Sequence, residues 1–154
     1  ITVTQGSANY SNSAGIVGIL KGNINRCYNT GEILNDSTAN NVRAAGIVGS
    51  LASTSSKITN SYNIGAIKTN NASDFATAAG IIGHAETSGV IQNSYNIGEI
   101  QQVRRYSEII AYGNIKIENT FTSTNTPEEM IEGLGENFEI IEGKNNGYPI
   151  LKNY

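Results

Sequence analysis

An internal repeat with a period of roughly 33 residues constrains the fold of this chain more than any other feature. Two motifs recur three times in the same order: A-G-I-V/I-G, and then I-x-x-x-Y-N-x-G-x-I. The copies occupy positions 13–33, 44–67 and 78–100 of the 154-residue chain. Their tyrosines are Tyr28, Tyr62 and Tyr95, so the interval from one copy to the next is nearly constant. A fixed period of this length indicates one supersecondary unit used repeatedly.

Each repeat predicts short strands and no helix. The runs A-G-I-V-G, I-x-N-S-Y and G-x-I are β-branched and bounded by Gly, Asn or Ser, a pattern typical of strands. None has the ten or more periodic residues that a helix needs. Strands of successive repeats would stack in parallel, roughly 4.8 Å apart. The predicted fold is therefore all-β, a parallel β-solenoid (β-helix) of about 33-residue coils with a small C-terminal α+β cap.

Stacking in register predicts rows of like side chains. The expected rows are a buried aliphatic row of Ile24, Ile58, Ile91 and Ile117, an aromatic row of Tyr28, Tyr62, Tyr95 and Phe121, and an amide row of Asn60, Asn93 and Asn119 that Arg26 interrupts. The chain must turn at Gly31, Gly65 and Gly98, where we expect positive φ. These rows account for the repeated residues without a ligand.

The expected organisation is a β-solenoid over residues 1–123 and a cap over residues 124–154. Its divisions are a partial coil 1–12, coils 13–43, 44–77 and 78–106, and a degenerate coil 107–123. Ile1 precedes Gly15 by nearly the same interval by which Ile33 precedes Gly46. We therefore expect Ile1 to occupy the last strand of a preceding coil, and the chain to be part of a longer array.

The segment 124–154 has a different pattern. T-P-E-E from Thr126 predicts a capping box and a short helix through about Leu134, ended by Gly133 and Gly135. Strands are predicted at 138–141 and 147–151. Such a segment would cover the open edge of the last coil, which otherwise invites strand addition by another chain.

Composition narrows the function classes. A net charge of −3 gives no basic footprint for nucleic acid. No apolar run approaches the length of about 18 residues that is typical of a transmembrane helix, so membrane insertion is not expected. The single cysteine, Cys27, aligns with Ser61 and Ser94, which predicts a structural thiol.

Catalytic and metal sites are poorly supported. His84 occupies a position held by Ile19 in another repeat, and with Glu86 it supplies only two of the ligands that a metal needs. Glu32 and Glu99 would lie about 10 Å apart across two coil steps, slightly beyond the range of paired glycosidase carboxylates. We expect no catalytic residue, no metal and no cofactor, and hence no enzyme.

Segments between the motifs vary in length and sequence, and variable loops on a rigid scaffold are where binding residues usually lie, although neutral drift explains such variation as well and is the favoured interpretation. Binding requires exposed side chains gathered on one face. The candidates outside the repeated rows are Tyr10, Phe75, Arg104, Arg105, Tyr106 and Tyr112. Arg104-Arg105-Tyr106 could contact an acidic glycan or another partner, and the alternative is a solvated loop.

The motifs A-G-I-V-G and I-x-N-S-Y-N-x-G-x-I resemble the GLUG repeat, and the ending N-N-G-Y-P-I-L-K is similar to segments that close such arrays. Ala for the first Gly, Ile for Leu, and Arg26-Cys27 for Asn-Ser are departures. The resemblance implies large secreted or wall-attached bacterial proteins, including adhesin-like proteins and the non-catalytic regions of IgA-specific metallopeptidases. The H-E-x-x-H zinc signature of those peptidases does not occur in this sequence.

Two functions follow as expectations. The first is a non-catalytic secreted or cell-surface module, a stiff spacer or adhesin segment whose partners are neighbouring repeats and domains of the same parent chain. The alternative is an accessory domain that binds substrate or glycan for a larger secreted enzyme such as a peptidase. A host protein or glycan is a candidate partner in either case.

Overall fold

The computed structural model describes residues 1–3, 9–101 and 103–153 and is mostly β. Part of the predicted partial coil 1–12, residues 4–8, lies outside the described residues. The strands are, in chain order, β1 (Thr2–Val3), β2 (Tyr10–Ala14), β3 (Val17–Leu20), β4 (Asn23–Asn25), β5 (Tyr28–Asn29), β6 (Ile33–Asn35), β7 (Asn41–Ala45), β8 (Val48–Leu51), β9 (Lys57–Thr59), β10 (Tyr62–Asn63), β11 (Ile67–Thr69), β12 (Thr77–Ala79), β13 (Ile82–Ala85), β14 (Val90–Asn96), β15 (Arg105–Ser107), β16 (Lys116–Phe121), β17 (Phe138–Glu139) and β18 (Ile150–Leu151). Helix α1 spans Pro127–Leu134, and a 3-10 turn spans Asn145–Gly147.

Parallel sheets join strands that lie about one repeat apart in sequence. Within the described part of the chain, three of these sheets have the strand orders β1-β6-β11, β2-β7-β12-β15 and β3-β8-β13. In the fourth sheet β14 pairs with β9, β10 and β16, β4 pairs with β9, and β5 pairs with β10. Strands β17 and β18 form an antiparallel pair. The expectation of an all-β fold with parallel sheets is confirmed.

The predicted register is also observed. Tyr62 is paired with Tyr28 on one side and with Tyr95 on the other, and Tyr95 is paired with Phe121. The tyrosine rings stack, with centroids 5.1 and 4.9 Å apart. Such pairs add roughly 0.5–1.5 kcal/mol beyond area burial.

The aliphatic row of isoleucines is in register but is not buried throughout. Ile24, Ile58 and Ile91 are buried, whereas Ile117 on β16 is 46% exposed. Among the described residues no strand pairs with β16 on the side away from β14. The last member of the row therefore has a neighbour on one side only.

The residues of the predicted amide row share a left-handed backbone conformation, which aligns their side chains. Asn60, Asn93 and Asn119 have φ of 48°, 49° and 43°, a region that asparagine tolerates better than most residues. Asn119 donates to Asn93 Oδ1 at 3.0 Å, and Asn93 donates to Asn60 Oδ1 at 3.5 Å. Arg26 interrupts the row, as predicted, with the same backbone geometry (φ 58°).

The prediction of positive φ at Gly31, Gly65 and Gly98 is wrong, because none of the three is among the left-handed glycines. The later two are required by close approach of neighbouring backbones. A Cβ on Gly98 would lie 2.2 Å from the carbonyl oxygen of Gly65, and one on Gly65 would lie 2.1 Å from that of Gly31.

The predicted run A-G-I-V-G is not one strand. In the second repeat β7 ends at Ala45 and β8 begins at Val48, so the chain bends at Gly46. A Cβ on Gly46 would lie 2.2 Å from the carbonyl oxygen of Gly80 and 2.3 Å from Cγ of Asn63. The bend brings the backbone of two successive repeats and a buried amide together at a point where only glycine fits.

A second, buried amide row fills the space that these glycines leave. Asn29 donates to Asn63 Oδ1 at 2.7 Å, and Asn63 donates to Asn96 Oδ1 at 2.8 Å. Asn63 also donates to the carbonyl of Gly65 at 2.8 Å. The Y-N-x-G motif and the A-G motif are therefore complementary, since each asparagine occupies the volume beside a glycine.

The tail begins with the predicted helix. Thr126 Oγ1 accepts from the backbone N–H of Glu129 at 3.3 Å, and Glu129 Oε2 accepts from that of Thr126 at 2.9 Å, which confirms the capping box. The predicted helix end is confirmed, because α1 ends at Leu134 and Gly135 is its C-cap, although Gly133 lies inside the helix. A Cβ on Gly133 would lie 2.3 Å from Cζ of Phe121, so this glycine lets the helix pack on the ring.

The tail lies along the aromatic row. Phe138 packs against Tyr62 and Tyr95 with centroid distances of 6.4 and 6.2 Å, and the Tyr95 hydroxyl donates to the carbonyl of Pro149. Burial raises the pKa of Tyr62 to about 12 and raises that of Tyr95 further. That the tail also covers the edge of the last coil stays a prediction, as do the domain boundaries.

At its far end the tail reaches the first repeat. Arg26 donates to Asn137 Oδ1 at 2.8 Å and to the carbonyl of Lys152 at 2.5 Å. The arginine that departs from the repeat pattern thus ties residues 124–154 to the first repeat, at the opposite end of the chain.

Candidate functional site

One row of aligned positions does not keep a single residue type from repeat to repeat. Asn12, Arg43, Thr77 and Arg105 lie in register on β2, β7, β12 and β15. In the first three strands this position precedes the A-G glycine by three places. Arg43 and Arg105 are separated by two strand steps of roughly 4.8 Å, or about 10 Å of backbone.

The second glycine of A-G-I-V-G makes room for this row. A Cβ on Gly83 would lie 3.4 Å from both Cβ of Arg43 and Oγ1 of Thr77, and one on Gly49 would lie 3.1 Å from Cβ of Asn12. Side chains of the row therefore lie over a strip of glycine backbone, which keeps them close to the adjoining sheet β3-β8-β13.

Arg43 is the buried centre of the row. Its side chain is 6% exposed, and it donates to Ser50 Oγ at 2.9 Å and to Glu86 Oε1 at 2.7 Å. Its guanidinium lies 5.2 Å from the ring centroid of Tyr10, within cation–π range. The hydrogen bond from Arg43 holds the pKa of Glu86 below its usual value.

Arg105 lies on the same side with two aromatic partners. Its guanidinium carbon is 4.4 Å from the ring centroid of Tyr112 and 5.3 Å from that of Phe75. His84 meets Tyr112 edge-on at 4.9 Å, and burial followed by the charge of Arg43 lowers the pKa of this histidine. Within the described residues Arg105 has no carboxylate partner.

These contacts define a continuous patch that we call the arginine–aromatic face. It consists of Tyr10, Arg43, Phe75, His84, Arg105 and Tyr112. Part of it is an open groove of about 600 Å³, lined by Tyr10, Asn12, Ile19, Arg43, His84 and Glu86. The Oδ1 atom of Asn12 is buried there and accepts no hydrogen bond from the described residues.

Four of the six candidates from the sequence thus come together on this face: Tyr10, Phe75, Arg105 and Tyr112. The first two are 56% and 53% exposed, and Tyr112 is 46% exposed. Such exposure leaves ring surface accessible to a ligand, although each ring already contacts an arginine.

The other two candidates lie apart. Arg104 pairs with Asp74 at 2.9 Å, and both side chains are about two-thirds exposed. Tyr106 is in register with Ala78 on β12 and lines a separate pocket with residues that include Glu108. Neither side chain belongs to the ring and guanidinium contacts that surround Arg105.

Sequence reasoning missed Arg43 and discounted His84 and Glu86. Arg43 lies in a segment that varies between repeats. Its partners in the buried environment are Ser50 on β8 and Glu86 in the loop after β13, which are distant from it in sequence. A usable signal was its position three places before Gly46. That position changes from repeat to repeat while the glycine does not.

Metal and membrane features are limited in the part of the chain that the structure describes. Residues 1–3, 9–101 and 103–153 contain no cluster of three or more His, Cys, Asp or Glu side chains suited to a metal, and no helix with the length and apolarity to span a bilayer. Glu32, weighed as a carboxylate catalyst, pairs with Lys68 at 2.6 Å. The expectations of no enzyme and no cofactor stay predictions.

Comparisons of this chain with protein-family models, with curated protein sequences and with solved structures found no match. The features of the chain itself therefore carry the functional argument.

Proposed function

We propose that the strands wind into a parallel β-solenoid and that the chain is a non-catalytic module of a secreted or surface-attached bacterial protein, a stiff spacer or adhesin segment. One observation carries the proposal: Tyr28, Tyr62 and Tyr95 pair in parallel at intervals of one repeat, so that each repeat contacts its copies. Repeat proteins built in this way are extended and gain stability from nearest-neighbour contacts.

Stiffness follows from how the copies are joined. The buried amides of Asn29, Asn63 and Asn96 are hydrogen-bonded from repeat to repeat, and the glycines beside them let the backbones approach so closely that an added Cβ would overlap its neighbours. Relative motion of two coils would break hydrogen bonds between buried polar groups, each of which costs roughly 1–3 kcal/mol when left unsatisfied. The GLUG-like motifs support the assignment to secreted or wall-attached proteins.

The spacer role is tested by placing the chain between two dye-labelled folded domains and measuring single-molecule energy transfer. We expect one narrow distance distribution, whereas a Gly/Ser linker of equal length gives a broad one. A chain as broad in its distribution as the linker would overturn the spacer role. The location is tested by antibody labelling of intact cells and culture medium, and a signal that needs cell lysis would contradict it.

The second candidate is the accessory domain that binds substrate or glycan for a larger secreted enzyme. The arginine–aromatic face favours it, because a purely structural module has no need for three half-exposed aromatic rings around two arginines. Exposed groups of this kind gathered on one face mark binding sites more often than isolated surface residues do.

A further inference from the structure

We propose that the arginine–aromatic face binds an acidic carbohydrate, with a sugar carboxylate on Arg105 and pyranose rings against Tyr112 and Tyr10. This inference rests on the second candidate function and supplies its ligand class.

Charge selects an anionic group at one end of the face. Arg43 is neutralised by Glu86, and the nearby Arg104 is neutralised by Asp74. Arg105 has only the rings of Phe75 and Tyr112 as partners among the described residues. These rings hold the guanidinium in position but leave its N–H groups free to form a bidentate pair with a carboxylate.

Hydrogen bonding selects hydroxyl groups at the other end. Glu86 lines the groove beside Tyr10 and presents a half-exposed carboxylate. Its oxygens accept hydrogen bonds, and sugar hydroxyls donate them. An acidic peptide supplies few such donors, and its carboxylates would be repelled by Glu86. A carbohydrate that carries isolated carboxylates satisfies both ends.

The spacing of the aromatic rings fits a short oligosaccharide. Tyr10 lies on β2, and Tyr112 contacts Arg105 on β15, three strand steps of roughly 4.8 Å, or about 14 Å, further along the sheet. That span is about the length of a trisaccharide. Flat ring surfaces at both ends would stack on the apolar faces of its two terminal sugars.

The test is calorimetric titration of the intact chain with a uronic-acid trisaccharide, with its neutral counterpart of equal length, and with a poly-glutamate peptide. We expect the acidic sugar to bind at least ten-fold more tightly than the neutral sugar and the peptide. Replacing Arg105 by Gln or Tyr112 by Ala should weaken its binding at least ten-fold. The matched controls R104Q and Y106A, at neighbouring positions off the face, should bind as the original chain does.

Each alternative result identifies what fails. Equal binding of the neutral sugar would overturn the acidic ligand and leave the accessory role in place. Equal binding of the peptide, or equal losses in R105Q and R104Q, would overturn the proposed carbohydrate site. No binding at millimolar concentration would overturn the inference while leaving the spacer function, which energy transfer tests separately. Unchanged melting temperatures of the variants exclude unfolding as the cause of a loss.

Discussion

Two rows of aligned residues in this molecule differ in whether the same residue type recurs from repeat to repeat. The interior amide row repeats the same side chain at Asn29, Asn63 and Asn96, and these amides are hydrogen-bonded from one repeat to the next. The row that contains Arg43 and Arg105 does not keep one residue type, although its strands also pair with one another. The sequence is uniform where side chains of neighbouring repeats bind one another, and varied where side chains gather into the arginine–aromatic face. The first row explains the fold, and the second is where the binding specificity is proposed to lie.

The largest stability loss is expected within the uniform rows. Tyr62→Ala removes the middle of the aromatic row and the contact with Phe138, and should lower the free energy of unfolding by about 3–5 kcal/mol. Tyr106→Ala, at a half-exposed position, should cost under about 1 kcal/mol. Chemical denaturation of both variants measures the difference. Equal, small losses would mean that the stack contributes little.

The glycine beside the amide row provides the next test. Gly46→Ala places a Cβ against the Gly80 carbonyl and the Asn63 side chain, and overpacking of this kind costs about 1–3 kcal/mol. Gly22→Ala is the matched control, since a Cβ there meets nothing within 4 Å. It should leave the midpoint of denaturation nearly unchanged. Similar midpoints for the two variants would contradict the close approach of the coils.

In the row that contains Arg43 and Arg105, the contribution to stability should depend on pH, because Arg43 forms an ion pair with Glu86. Because Arg43 lowers the pKa of folded Glu86, this carboxylate stabilises the fold above the unfolded pKa, and its contribution is lost as the pH falls through the folded pKa. His84 and Ser50 also face Glu86.

Glu86→Gln should therefore destabilise the protein by about 1 kcal/mol at pH 7, a modest figure because water screens the half-exposed carboxylate. The difference from the original chain should shrink as the pH falls through the lowered pKa of folded Glu86, which denaturation experiments over a pH series measure. A difference that is independent of pH would show that the ion pair is not the source of the effect.

The smallest effect is expected at Cys27, which takes the place of serine in a uniform row. Its backbone N–H donates to Ser61 Oγ at 3.2 Å, as the N–H of Ser61 donates to Ser94 Oγ, and burial raises the pKa of the thiol. Cys27→Ser should change stability by less than about 1 kcal/mol and leave carbohydrate binding intact. Loss of binding in the titration experiment would assign the thiol a role beyond structure.

The uniform rows could be predicted from the sequence because each one is a repeated letter at a fixed interval. Register, the amide row at Asn60 and Asn93, and the capping box at Thr126 all follow from local patterns. The backbone geometry at Gly65 and Gly98 does not follow from local patterns. Glycine is required there by the close backbone of the adjoining repeat and not by the residue's own φ. Close approach of two backbones and a left-handed turn both require glycine, so the sequence alone does not distinguish them.

The candidate site was predictable only in part. Tyr10, Phe75, Arg105 and Tyr112 stood out as aromatic or basic residues outside the rows. That these four residues lie together could not be derived from the sequence. It depends on how the chain bends at the A-G glycines and therefore on which sheet each side chain faces. The Arg43–Glu86 pair joins residues 43 positions apart, and this pairing does not recur in the other repeats that the structure describes. A non-repeating pair leaves no periodic signal.

The fold depends on in-register stacking of successive repeats, and nitroxide spin labels report that stacking through the distance between paired strands. In a Cys27→Ser background, labels at Asn23 and Lys57 lie on exposed, directly paired positions of β4 and β9, one step of roughly 4.8 Å apart. Labels at Asn23 and Lys116 lie three steps apart, about 14 Å along the array. We predict strong dipolar broadening for the first pair and clearly weaker broadening for the second. Absence of broadening between Asn23 and Lys57, or equal broadening of both pairs, would contradict the stacked arrangement.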